Sequence, residues 1–181
     1  EGRAALEFSG KELIRGEGST DVVLNVYRAN DVDDAPGWIS GVGWISPEAA
    51  DELTEQAVKI QDMDALRDKV SSSYATPEDI RAVVVGMDGG CGYPDCARPG
   101  IRAQMDHRID FKDGGLTIPA NLAAICQHHH NIKTDGRVRY IIDPQTREKV
   151  WLFENGRWAT SEPSGPLAPK ERRWLQTVSQ R

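Results

Sequence analysis

All three cysteines and all four histidines of this 181-residue chain lie between Cys91 and His130. These are the side chains that bind transition metals and move protons near neutral pH. Cys91 and Cys96 frame the run CGYPDC, where Gly92 and Pro94 favour a tight knuckle that turns both thiolates toward one ion. Cys126 and His129 are three residues apart, so a helix over 121–133 puts both on one face. Two ligands from a knuckle and two from a helix make a closed tetrahedral site of three cysteines and one histidine, the structural zinc type. His128 and His130 stand as alternatives to His129 for the fourth ligand. The bland alternative is three cysteines packed as small hydrophobes, and paired spacing at both ends disfavours it.

A second group is Asp106, His107, Asn121 and His130. Residues 103–110 read as a strand, Asp113-Gly114-Gly115 as a turn, 116–119 as a short returning strand, and Asn121 as the start of the helix. On that helix His130 points about 100° away from His129, so the two can serve separate sites. Strand alternation turns Asp106 and His107 to opposite faces, although a carboxylate near a strand end can bend to a shared metal.

The runs CGYPDC, DHRIDFKDGG and NLAAICQHHHNIKTDG resemble the HNH, or ββα-metal, nucleases. The nearest likeness is to actinobacterial proteins that carry an HNH domain after a longer domain of unknown function. The resemblance implies a role for each matching residue. His107 is the general base, Asp106 and His130 hold a catalytic divalent ion (Mg²⁺ or Mn²⁺), and Asn121 fixes the loop that orients His107. Cys91, Cys96, Cys126 and His129 hold the structural Zn²⁺; many members have a fourth cysteine in place of His129. The implied reaction is hydrolysis of DNA phosphodiesters, leaving 5′-phosphate and 3′-hydroxyl ends. The chemistry is coherent, because a neutral imidazole is a suitable base at neutral pH and a lightly ligated cation keeps positions for water and phosphate. Arg108, Lys133 and Arg137 are candidate phosphate contacts, with a solvated face as the alternative. Trp151, Trp158 and Trp174 are candidate stacking residues, with core packing as the alternative. A zinc-stapled DNA-binding module without catalysis is the runner-up.

The elements that must hold these residues place the chain in the α+β class: a zinc-stapled nuclease module extended by a β-hairpin, preceded by a small α/β segment. The expected domains are 1–75, an accessory segment or the end of a larger domain; 76–160, the nuclease module; and 161–181, a Pro-rich basic tail. A strand is expected over 21–28, a loop or hairpin over 30–45, and a helix from Ser46-Pro47 to about residue 60. Further helices are expected over 62–70 and after Thr76-Pro77, and strands over 138–142 and 149–153.

Charge is unevenly divided. Residues 98–181 sum to +5 and residues 1–97 to −11, together the −6 of the chain. An acidic half that masks a basic nuclease face is one consequence. Three cysteines cannot all pair in disulfides, and no signal-peptide pattern is present, so a cytoplasmic location is expected. No apolar run has membrane-spanning length. The chain starts at Glu1 without an initiator Met, as expected of a fragment. DNA is the expected partner, with a homodimer needed if both strands are cut together.

Overall fold

The computed structural model describes the backbone of residues 3–9 and the chain over 23–169. It divides between Leu66 and Arg67 into two compact units. Helices and small sheets alternate without a βαβ crossover pattern, so the class is α+β.

In the first unit, β1 (Arg3–Ser9), β2 (Val23–Ala29), β3 (Gly37–Ile39), β4 (Gly43–Ile45) and β5 (Lys59–Asp62) form one antiparallel sheet in the order β4-β3-β2-β1-β5. Helix α1 (Pro47–Glu55) starts at the expected signal: Ser46 Oγ accepts from the Ala49 amide at 3.3 Å, and Pro47 takes the first position. It buries Ala50 beside Val26 and Ile39. Gly37 permits this approach, since a Cβ there would stand 2.9 Å from Val26 and 3.1 Å from Ala50.

Two helical expectations fail here. Helix α1 ends at Glu55, and residues 59–62 instead pair with β1 as an edge strand, leaving Ile60 exposed. Strand pairing with a neighbour decides between two weak local preferences. Residues 63–68 are turns rather than a helix, fastened by Asp62 Oδ1 accepting from the Asp64 and Ala65 amides. Such a short stretch does not propagate a helix. The expected strand at 21–28 is β2, with residues 21 and 22 outside the described residues; most of 1–20 and all of 170–181, including Trp174, also lie outside them.

The second unit is built on helix α2 (Glu78–Asp88), whose residues Ile80 and 82–88 are all buried. It follows Thr76-Pro77 as expected, with Pro77 at the N-cap position and no side-chain cap. Strand β6 (Gln104–His107) pairs antiparallel with β7 (Leu122–Ile125), and helix α3 (Gln127–Thr134) follows. Strands β8 (Val138–Ile142), β9 (Lys149–Phe153) and β10 (Trp158–Ser161) form a meander. Val138, Tyr140 and Ile142 alternate inward onto Trp151, Ala123, Ile125 and Cys126. Residues 162–169 return to α2, where the Leu167 amide donates to Gly86 O at 2.8 Å and its side chain is buried.

The β7–α3 boundary corrects the sequence expectation. Residues 122–125 are strand, not helix, and 119–121 form one 3-10 turn in place of a returning strand at 116–119. Asn121 therefore precedes a strand, and Cys126 is the N-cap of a helix that starts six residues later than expected. Among the described residues no helix is long and apolar enough to cross a membrane.

Candidate active site and metal centre

The knuckle and the start of α3 bring Cys91, Cys96, Cys126 and His129 together, with their ligand atoms all within 4.8 Å of one another. His129 Nδ1 lies 3.4 Å from Cys126 Sγ and 3.6 Å from Cys91 Sγ. A tetrahedral ion at about 2.3 Å from sulfur and about 2.0 Å from nitrogen sets such an edge at about 3.5 Å. The donor set thus fits a cation, and it is compatible with zinc. Burial pushes the Cys91 thiol up to about 12, so a cation is what would make it a thiolate. Burial also raises Cys126, but the amides of His129 and His128 at the helix start and the neighbouring thiols outweigh it, and the net direction is downward. Burial, then His128 and Arg98, hold His129 below the usual imidazole value, leaving it neutral with a lone pair to give. Tyr93 stacks on its ring at 3.7 Å. Of the alternatives, His128 is exposed and His130 points elsewhere.

His130 faces a pocket of about 510 Å³ whose lining includes Tyr74, Asp106, His107, Phe111 and Lys133. Asp106 and His107 both reach this pocket, although they are strand neighbours. Strand β6 ends at His107 and the chain bends there, which releases His107 from strict alternation. Asp106 is 4% exposed. Its Oδ1 lies 3.3 Å from His130 Nε2 and 3.0 Å from Lys133 Nζ. Its Oδ2 accepts from Tyr140 Oη at 2.6 Å and from Lys133 Nζ at 2.8 Å. Burial first, then the Asp106 charge, raise the Tyr140 phenol well above its ordinary value, so it stays a donor. Lys133 Nζ also donates to His107 O at 3.1 Å.

His107 Nε2 lies 2.8 Å from Thr117 Oγ1, and its ring stacks on Tyr74 with centroids 5.4 Å apart. Burial holds its imidazole below the usual value, against the opposing pull of Asp106. Asn121 pins the loop after β6 from inside: it accepts from the Ile109 amide at 2.9 Å and donates to Ile109 O at 3.1 Å and Leu116 O at 2.9 Å. Arg108 and Arg137 are exposed, and Arg137 pairs with Asp135. Trp151 is fully buried, its Nε1 donating to Gly92 O at 2.7 Å, while Trp158 is exposed.

Sequence reasoning missed three contributors. Tyr140 lay in an ordinary strand pattern, Tyr74 in a polar stretch and Thr117 in the largely apolar run LTIPA, none of them with a motif. It also missed the buried cluster of Asp88, Arg147 and Lys149 beneath the knuckle. Its one signal was a carboxylate closing the apolar run VVVGMD.

With this geometry in hand, the class is supported by a match of residues 91–136 to the family described as HNH endonuclease. The chain is also similar to the uncharacterized protein Rv3776 of Mycobacterium tuberculosis, at 26% identity over 130 residues, which is 71% of this chain. The chain spans about a quarter of the length of that curated relative, 25%. No solved structure matches the chain.

Proposed function

We propose that this chain is a metal-dependent DNA endonuclease with His107 as its general base. One observation carries the reading: Asp106, His107 and His130 converge on one open pocket within a module similar to the HNH endonucleases. Asp106 and His130 would hold a divalent cation, Mg²⁺ or Mn²⁺. Their 3.3 Å separation suits neighbouring ligands of a small ion, which stand about 3.0 Å apart at bond lengths near 2.1 Å. When bound, the cation supplies charge neutralisation at the phosphate and the leaving oxygen.

The chain's own residues do the rest. His107 takes a proton from water as the water oxygen bonds to phosphorus. The bond from phosphorus to the 3′-oxygen breaks, and that oxygen takes a proton from solvent, giving 5′-phosphate and 3′-hydroxyl ends. Asn121 holds the loop, and with it the backbone from which His107 projects. Lys133 and Tyr140 orient the Asp106 carboxylate. Cys91, Cys96, Cys126 and His129 would hold a structural Zn²⁺ that ties the knuckle to the start of α3. Arg108 and Arg137, both exposed, would contact phosphates.

The test is supercoiled-plasmid cleavage by wild type and His107→Ala with Mg²⁺, Mn²⁺ or EDTA, zinc content being measured on the same samples. Nicking by wild type, abolished by EDTA and reduced at least about a hundredfold in a mutant that keeps its zinc, is expected. A folded, zinc-loaded wild type that binds DNA and never cuts it would replace this reading with the DNA-binding module.

A further inference from the structure

We propose that Thr117, gripped by the segment 71–74 that precedes the matched module, is a positioning residue: it holds the His107 ring with its proton on Nε2 and leaves Nδ1 as the atom that accepts the proton from water. The inference deepens the general-base reading and rests on it.

The assignment follows from counting protons. The Thr117 hydroxyl has one, and Thr117 is fully buried. Its Oγ1 donates that proton to Ser73 O at 2.7 Å. The same Oγ1 lies 2.8 Å from His107 Nε2. With its proton committed, the hydroxyl can only accept there, so Nε2 carries the hydrogen. A neutral imidazole has a single N–H, and its lone pair therefore sits on Nδ1. Among the described residues no buried side-chain nitrogen or oxygen lacks a partner. Among the described residues Nδ1 of His107 has no hydrogen-bond partner, so it is open to the pocket that the residue lines.

The grip comes from one short segment. The Ser71 amide donates to Thr117 O at 3.0 Å, Ser73 O takes the hydroxyl proton, and Tyr74 lies flat on the His107 ring, 13° from parallel. Three residues of one four-residue segment thus hold both the Thr117 backbone and side chain and one face of the imidazole. They stand outside the matched residues 91–136. A hydroxyl at 117 is required by this arrangement, and the methyl group of threonine is not.

The experiment combines ring ¹⁵N NMR of histidine-labelled full-length protein at neutral pH with kcat and KM for plasmid cleavage, on wild type, Thr117→Val and Thr117→Ser. Wild type and Thr117→Ser are expected to show His107 as a single tautomer protonated at Nε2, with cleavage rates within about twofold of each other. Thr117→Val is expected to show a mixed tautomer signal and a kcat lowered at least about tenfold with KM unchanged. Three results would overturn the proposal: a proton on Nδ1 in wild type, a Thr117→Val protein cutting at the wild-type rate, or Thr117→Ser impaired as much as Thr117→Val. If Thr117→Val does not fold, the wild-type spectrum and Thr117→Ser still decide. If wild type cuts nothing, the nuclease reading falls, while the spectrum separately decides the tautomer.

Discussion

Among the described residues the Asp88 side chain hydrogen-bonds to none that line the pocket, yet it fastens the strand that leads into the candidate metal centre. Its Oδ1 accepts from Arg147 at 2.9 and 3.1 Å and from Lys149 at 3.0 Å, and its Oδ2 accepts from the Ala124 amide in β7 at 2.8 Å. Burial pushes its carboxyl up, but Arg147, Lys149 and the Ala124 amide outweigh burial, and the net direction is below the ordinary 3.8. The folded form therefore binds its proton less readily than the unfolded chain. The resulting stability is fully present above pH 3.8 and is lost as pH falls through the lower folded value. Asp88→Asn would leave two buried cations without a counter-charge, at a cost of about 3–5 kcal/mol. Urea unfolding at about pH 6 should show that deficit, since Asp88 is ionised there in the wild type. A deficit under about 1 kcal/mol would dissociate the cluster from stability. The cysteine and histidine cluster of the candidate metal centre was legible because such residues at paired spacing have few other uses. Asp88 was not, because its partners lie 59 and 61 residues away and no local pattern announces them.

Between residues 103 and 134 the sequence singled out Asp106, His107 and His130, which line one pocket, but misplaced the elements that carry them. Leu122 to Ile125 has good helix formers, and it directly precedes true helix, so propensity favours one continuous helix. Tertiary partners decide otherwise: β6 pairs along its whole length, and Asp88 takes the Ala124 amide. The pairing of β8 and β9 was legible, because VRYII and KVWLF are rich in β-branched and aromatic residues and flank the Asp143-Pro144 turn. The loop between β6 and β7 depends on Gly115, which is buried. A Cβ there would stand 1.8 Å from Ile109 O and 3.0 Å from Asn121 Nδ2. The first of these is backbone, so no side-chain rotation relieves the clash. Gly115→Ala should therefore displace the 109–115 loop and break its bonds to Asn121. We expect zinc content to stay at the wild-type level while kcat falls at least about tenfold, because the knuckle and α3 are untouched. Cleavage at the wild-type rate would mean that the loop does not position the base.

The uneven charge of the chain narrows but persists when counted by compact unit. Residues 1–66 sum to −9 and residues 67–181 to +3. Acidic residues tethered to a nuclease repel the DNA backbone over a Debye length, about 10 Å at 0.1 M salt. A chain beginning at Arg67 should therefore cut plasmid several-fold faster than the full chain at low salt, with the gap closing as salt rises. An equal rate at every salt concentration would remove the masking idea. The unit boundary also separates this effect from the role of the segment 71–74. A chain beginning at Thr76 loses the same acidic unit but also Ser73 O and Tyr74, on which Thr117 and His107 rely. Charge alone predicts that both shortened chains outpace the full chain. A site completed from upstream predicts that only the longer of the two does, and that the shorter falls at least about tenfold below it while keeping its zinc. Arg67 also donates to Leu167 O at 3.1 Å, so thermal unfolding of both shortened chains must accompany the rates. Matched melting and zinc content with unequal cleavage would locate the difference in the His107 pocket, whereas equal cleavage would confine the working nuclease to residues after 75.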